Sequence, residues 1–235
     1  MAAVVLSAGI TRLERAALSC TAIVCLLLPF VALAEATAGT EKAETEAKIQ
    51  TCSACHGPDG ASTVSRYPIL AGQEEYYLYV QLRDFQAGRR ENAEMAPMVQ
   101  GLTKEDMQAV AKFFSQQAWP NLQSRADPQT IKAGISAAAA GQCPQCHLGG
   151  YNGNSRVPRL AGQHADYLEK TMLDFKNKTR NNAPDKSALM RLFSDEDIEA
   201  LAGYLGSLTV HGSSAGSEIG PAPPPAVSPP RTPAP

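Results

Sequence analysis

Two short segments of this 235-residue chain place reactive side chains at a fixed spacing: Cys52-Ser-Ala-Cys55-His56 and Cys143-Pro-Gln-Cys146-His147. The two thiols of each segment stand about one helical turn apart, with an imidazole directly after the second. Such a pair adds across the two vinyl groups of a porphyrin, and the adjoining His is then set beneath the iron as an axial ligand. Other chemistry has to be weighed. Four thiolates could gather a zinc ion, but a His would then have no reason to follow both pairs. A disulfide within each pair would suit a thioredoxin-like redox motif, which goes with a βαβ pattern, and the sequence carries no such pattern. The motif occurring twice therefore reads as two covalently bound haem c groups. Cys52, Cys55, Cys143 and Cys146 would hold the porphyrins, and His56 and His147 the irons.

The surroundings of the two segments repeat. Pro68-Ile69-Leu70-Ala71-Gly72-Gln73 is matched by Pro158-Arg159-Leu160-Ala161-Gly162-Gln163. Tyr77-Leu78 is matched by Tyr167-Leu168, Asp84-Phe85 by Asp174-Phe175, and Arg90 and Asn92 by Arg180 and Asn182. Units of roughly 85–90 residues that share such an order of signals are duplicated small domains. The spacing predicts a final helix in each. Thr103-x-x-Asp106 and Ser194-x-x-Asp197 resemble capping boxes. Behind them run the apolar stripes Met107, Val110, Ala111, Phe114 and Ile198, Leu201, Ala202, Leu205. A middle helix is expected at Glu75–Ala87 and again at Ala165–Lys176. Helices at Lys42–Thr51 and Pro128–Gly141 should precede the cysteine pairs, the latter with Asp127 as N-cap. No stretch alternates as a strand would. The fold class is all-α, with two tandem domains, residues 35–120 and 121–210, joined near Trp119–Pro128.

The ends of the chain read differently. Arg12 and Arg15, an apolar run from Ala16 to Leu33, and Ala32-Leu33-Ala34 have the layout of a secretory signal peptide over residues 1–34. The run is also about long enough to serve as a retained anchor. Cys20 and Cys25 lie inside it as apolar filler. Export would place the protein in the periplasm. Removing the segment takes away Arg12, Arg15 and Glu14, which moves the net charge from −2 to −3. So mild a charge points to no nucleic acid partner. Residues 211–235 are rich in Gly, Ser and Pro and are expected to form a disordered tail.

Taken together, the two Cys-x-x-Cys-His segments, the two Leu-Ala-Gly-Gln segments, the Arg-x-Asn-to-Met stretch and the two capped final helices resemble the cytochrome c4 family of dihaem cytochromes. The resemblance spans nearly all of the chain between the signal segment and the tail. It implies tandem cytochrome c-like domains and a periplasmic electron carrier, not an enzyme. Such a carrier would run between a quinol-oxidising complex and a terminal oxidase or another acceptor. Its partners would be redox proteins, some of them membrane complexes, so peripheral membrane association is compatible with it. The alternative is a dihaem subunit of an oxidoreductase or peroxidase with one open or unusually ligated haem.

The resemblance also implies residue roles. The carbonyls of Pro68 and Pro158 would accept hydrogen bonds from the Nδ1 atoms of the haem histidines. In the family the axial Met stands seven positions before the Leu that leads into the final helix. Counting back from Leu102 gives Met95, with Met98 the second candidate. The second repeat departs from the pattern: Phe193 stands where Leu102 does, and seven positions before it is Lys186. Met190 is the nearest Met and the expected ligand, although about one helical turn is missing after it. Lys186 through its neutral amine is the runner-up, and an open iron is a third reading. Gly72 and Gly162 are expected to permit tight backbone. Tyr77 and Tyr167 are expected to pack in the core, and His164 and His211 to lie at the surface. Residues 35–128 carry 9 basic and 13 acidic side chains and residues 129–235 carry 10 and 9, so the two halves are expected to face different partners.

Overall fold

The computed structural model describes residues 42–122 and 124–210. The expected signal peptide, His211 and the tail lie outside the described residues. The chain divides into the units Met1–Lys48 and Ile49–Pro235. In the first, residues 42–48 are helical. The second holds both cysteine pairs, and its elements follow in chain order. Helix α1 covers residues 49–56, and a 3-10 turn covers Pro58–Gly60. Then come α2 (Glu75–Gln86), α3 (Met95–Val99), α4 (Lys104–Ser115), α5 (Pro128–Ala140), α6 (Cys143–His147), α7 (Ala165–Lys176), α8 (Pro184–Met190) and α9 (Asp195–Ser207). Among the described residues there is no strand, only two isolated bridges, Arg90 to Arg180 and Asn154 to Val157.

Local sequence sets these boundaries. Both final helices open on full capping boxes: Thr103 Oγ1 accepts from the Asp106 N–H and Asp106 accepts from the Thr103 N–H, and Ser194 and Asp197 do the same. All eight stripe residues are buried, so each final helix lays one apolar face on its own repeat. Asp127 caps α5 by accepting from the Gln129 and Thr130 N–H groups, with Pro128 at the first helical position. The helices before the two cysteine pairs end differently. Helical backbone runs through Cys52 and Cys55 to His56, beyond the expected end at Thr51. In the second repeat the chain breaks at Gln142, which has φ 53°, and restarts as α6 with a Pro in its first turn. Proline offers no N–H to continue the preceding helix.

α5 packs on α9 through small residues. Gly134 faces Ala200 and Tyr204, and Gly203 faces Thr130. Gly72 and Gly162 have positive φ, 63° and 68°, and their N–H groups donate to the carbonyls of Phe114 and Leu205, both at 2.9 Å. They tie each Leu-Ala-Gly-Gln segment to the end of its final helix.

The expected join begins on a core residue: Trp119 is buried and packs with Ile69, Ala71, Ala161 and Val210. Its apolar ring fills the space left open by Gly162, where an added Cβ would lie 3.0 Å from Trp119 Nε1. His164, expected at the surface, is buried. Its Nε2 lies 2.8 Å from the carbonyl of Ser62 in the other repeat, so the position is set by packing between repeats and not by the helix it precedes.

Candidate functional site

In the first repeat, α1 presents Cys52 half-buried and Cys55 exposed, both as free thiols. His56 follows, buried. Its Nδ1 lies 2.9 Å from the carbonyl of Pro68. An N–H on Nδ1 satisfies that carbonyl and leaves the lone pair on Nε2, the form in which imidazole binds iron. The Tyr67 ring stands 6.1 Å from the imidazole. Burial holds the His56 pKa below the ordinary value, against the pull of the Pro68 hydrogen bond, and Arg90 lowers it further. Each of these lowering influences favours the neutral imidazole, the form that binds a metal. Gly57 turns the chain sharply after the His with φ 79°, and a Cβ there would come within 2.9 Å of the Ala61 carbonyl oxygen.

Met95 opens α3 and is half-buried. The Asn92 side chain fixes that start, its Oδ1 accepting from the N–H groups of Glu94 and Met95 at 2.9 and 2.8 Å. Met98, one turn on, is 52% exposed and faces solvent. Met107 is buried on α4, as its place in the stripe requires.

The second repeat copies this plan up to a point. α6 holds Cys143 half-buried and Cys146 exposed as free thiols, and His147 is buried with Nδ1 2.9 Å from the Pro158 carbonyl. Burial lowers the His147 pKa, the Pro158 bond opposes it, and Lys186 adds to the lowering. Burial pushes the Cys52 and Cys143 thiols up. Met190 ends α8 and is buried in the core with Phe193, Ile198 and Leu201. Lys186 is half-buried on the same helix, its amine 2.6 Å from Asp185.

The two repeats face each other through the residues they have in common. Gln73 accepts from the Arg159 N–H at 2.7 Å and donates to the Arg159 carbonyl at 3.0 Å, and Gln163 makes the same pair with Ile69. Arg90 donates to the Tyr167 hydroxyl at 2.9 Å and Arg180 to the Tyr77 hydroxyl at 3.4 Å. Each guanidinium also lies over an aromatic ring of its own repeat, Phe85 or Phe175. The two tyrosines, expected simply in the core, are therefore half-buried contacts between repeats. The sequence already marked the glutamines by repeating Leu-Ala-Gly-Gln, but nothing in it said that each would serve the other repeat. Asn92 could have been found as an Asx cap before α3. Arg159 could not: it stands where the first repeat has Ile69, and its buried guanidinium lies over the Trp119 ring at 5.1 Å.

The donor set fits covalent haem twice: an accessible thiol pair at the required spacing, then an imidazole whose Nδ1 is already engaged. Among the described residues no three His, Cys, Asp or Glu side chains gather as a metal-holding cluster, so the two pairs are separate sites.

Comparison with known proteins agrees with this geometry. The cytochrome c family model matches residues 40–118 and again 131–209. The chain is 34% identical over 208 residues to cytochrome c4 of Azotobacter vinelandii, covering 80% of this chain and 98% of that protein. It is 30% identical over 169 residues to a thiosulfate dehydrogenase electron acceptor of Stutzerimonas stutzeri, covering 67% and 78%. The crystal structure of reduced recombinant cytochrome c4 from Pseudomonas stutzeri superimposes with a TM-score of 0.63 at 34% identity, over 70% of this chain and 97% of that one. Two tandem cytochrome c domains, each with its Cys-x-x-Cys-His segment for a covalent haem c at Cys52 and Cys55 or at Cys143 and Cys146, make this chain a member of the cytochrome c4 family of dihaem electron-transfer proteins.

Proposed function

We propose that the protein shuttles electrons in the periplasm between a quinol-oxidising complex and a terminal oxidase or other acceptor, without catalysing a reaction of its own. The haem groups supply the reversible one-electron chemistry, and the chain supplies attachment, ligands and partner surfaces. His56 and Met95 would hold the first iron, and His147 would hold the second. On the distal side of the second, α8 carries both residues that the sequence brings forward, Met190 and Lys186. We take residues 35–120 and 121–210 as the two domains.

The observation that carries this reading is the pair of buried imidazoles, each with Nδ1 2.9 Å from a proline carbonyl and each directly after two free thiols. Asn92 supports Met95 by fixing its backbone, and the exposure of Met98 argues against that residue. The layout of residues 1–34 supports export. Among the described residues no helix is long and apolar enough to cross a membrane. The relative named as the electron acceptor of thiosulfate dehydrogenase supports a role downstream of a dehydrogenase.

A pyridine haemochrome assay with intact-mass measurement should give two covalent haems on a chain that begins after Ala34. Reduced protein should exchange electrons rapidly with a quinol-oxidising complex and with an oxidase. Turnover of peroxide or of a sulfur compound by the isolated protein would overturn the carrier reading in favour of an oxidoreductase subunit.

A further inference from the structure

We infer that the distal ligand of the second haem iron is the amine of Lys186, and that Met190 is a core residue. The inference rests on the dihaem reading above and deepens it at one atom.

The register of the two distal segments decides it. Thr103 and Ser194 are equivalent N-caps, with φ and ψ of −73° and 171° against −68° and 169°. Going back from them, the same turn recurs in both repeats: the Leu102 N–H donates to the Val99 carbonyl at 3.2 Å, and the Phe193 N–H donates to the Met190 carbonyl at 3.3 Å. Met190 thus occupies the place of Val99. Both are buried, Val99 at 1% exposure and Met190 at 6%, and Met190 packs among Phe193, Ile198 and Leu201. One turn earlier in each segment, Met95 and Lys186 occupy equivalent places. No helical turn is missing from the second repeat: the expected thioether position is present and holds a lysine.

The Lys186 side chain is suited to that place. It is half-buried, with 31% of its side-chain surface exposed. Its charge bears on both His147 and Cys143, so the amine lies within electrostatic reach of the attachment segment. Residues four apart share a helix face, so Lys186 stands on the same face of α8 as Met190, which is in the core. The lysine stem is longer than that of Met and carries a lone pair once the amine is neutral. As a ligand Nζ would bind through its lone pair and give up one proton to bulk water; its present partner is the Asp185 carboxylate, 2.6 Å away.

A consequence is that the two haems differ in potential, because thioether ligation raises it. With that ligand set the second haem would be the donor and the first the acceptor within the chain.

The test uses the full-length holoprotein, its M190L, K186A and K186M variants, and the near-infrared charge-transfer band that ferric haem shows with a thioether ligand. Oxidised wild type should show the intensity of one thioether-ligated haem per two haems, and M190L should leave it unchanged. K186A should open one haem per chain to carbon monoxide in the reduced state. K186M should double the band. It should also shift the intramolecular electron equilibrium at least about tenfold, which is about 59 mV for one electron. Wild-type intensity of two thioether ligands that falls to one in M190L would overturn the inference. So would wild type whose second haem already binds carbon monoxide and is unaltered by K186A. In either case a haemochrome count of two would leave the dihaem carrier standing.

Discussion

Gln163 holds Ile69 by both of its backbone polar groups: Oε1 accepts from the Ile69 N–H at 2.9 Å, and Nε2 donates to the Ile69 carbonyl at 3.0 Å. The residues are 94 positions apart and both are buried. With the mirrored pair of Gln73 and Arg159, this relationship joins the two repeats reciprocally, each glutamine bonding the backbone of the other repeat. Each glutamine amide replaces water for two backbone groups that would otherwise be buried without partners.

Replacing Gln163 by Leu strands both groups of Ile69, at about 1–3 kcal/mol for each buried group left unpaired. Thermal denaturation of the holoprotein should show a lower Tm for Gln163→Leu and for Gln73→Leu. The double variant should melt in two steps, as the repeats lose their coupling. His164→Leu should also lower the Tm, because it removes the bond to the Ser62 carbonyl. A Tm unchanged in all of these would show that the interface is held by other contacts.

The α5–α9 crossing tolerates nothing larger than glycine at residue 134. A methyl there would run into the Ala200 carbonyl and the Tyr204 Cβ. Gly134→Ala should therefore destabilise by about 1–3 kcal/mol through overpacking. Gly149→Ala is the control, since a Cβ there meets nothing within 4 Å. Equal denaturation midpoints for the two variants would contradict the packing described here.

Tyr167 should ionise early. Burial works to raise its pKa, but the charges of Arg90 and Arg180 outweigh it and bring it down to about 8. An acid whose folded pKa is depressed adds stability above its unfolded pKa, about 10 for tyrosine, and loses it as pH falls through the folded value. Stability should thus rise between pH of about 8 and about 10. Ultraviolet difference titration should reveal one early tyrosinate, absent in Tyr167→Phe, together with a flatter pH–stability slope in the variant. An early phase that persists in Tyr167→Phe would assign it to another group.

The uneven charge of the two halves predicts uneven salt dependence. Residues 35–128 are net −4 and residues 129–235 net +1 by formal charge. Reactions with donor and acceptor should slow or quicken differently as ionic strength rises, because screening acts on the charges each partner faces. Stopped-flow rates with both partners across a salt series would check this, and identical slopes would remove the argument for separate faces.

Much of this protein is legible one residue at a time. Covalent haem attachment needs two thiols and an imidazole in one pentapeptide, so contiguous sequence determines it. The caps at Thr103, Asp127 and Ser194 act over three positions, and the stripes of α4 and α9 over seven, so those helices were legible too. The pinning of His56 by Pro68 and of His147 by Pro158 came through the family resemblance, and the structure bears out both.

What the sequence could not settle depends on residues far apart in the chain. His164 looks like a surface residue before a helix until Ser62 is brought to it from 102 positions away. Trp119 looks like part of a join until Gly162 leaves room for its ring. The distal segment of the second repeat is the sharpest case. Read by residue type, Met190 is the natural ligand. Counting back from Phe193 already puts Lys186 opposite Met95; the tertiary structure adds that Met190 is buried in the core, in the place of Val99. The candidate ligands are written in the sequence; which of them lies in the core and which stays half-exposed is decided by where the backbone of α8 is held, and that is a property of packing.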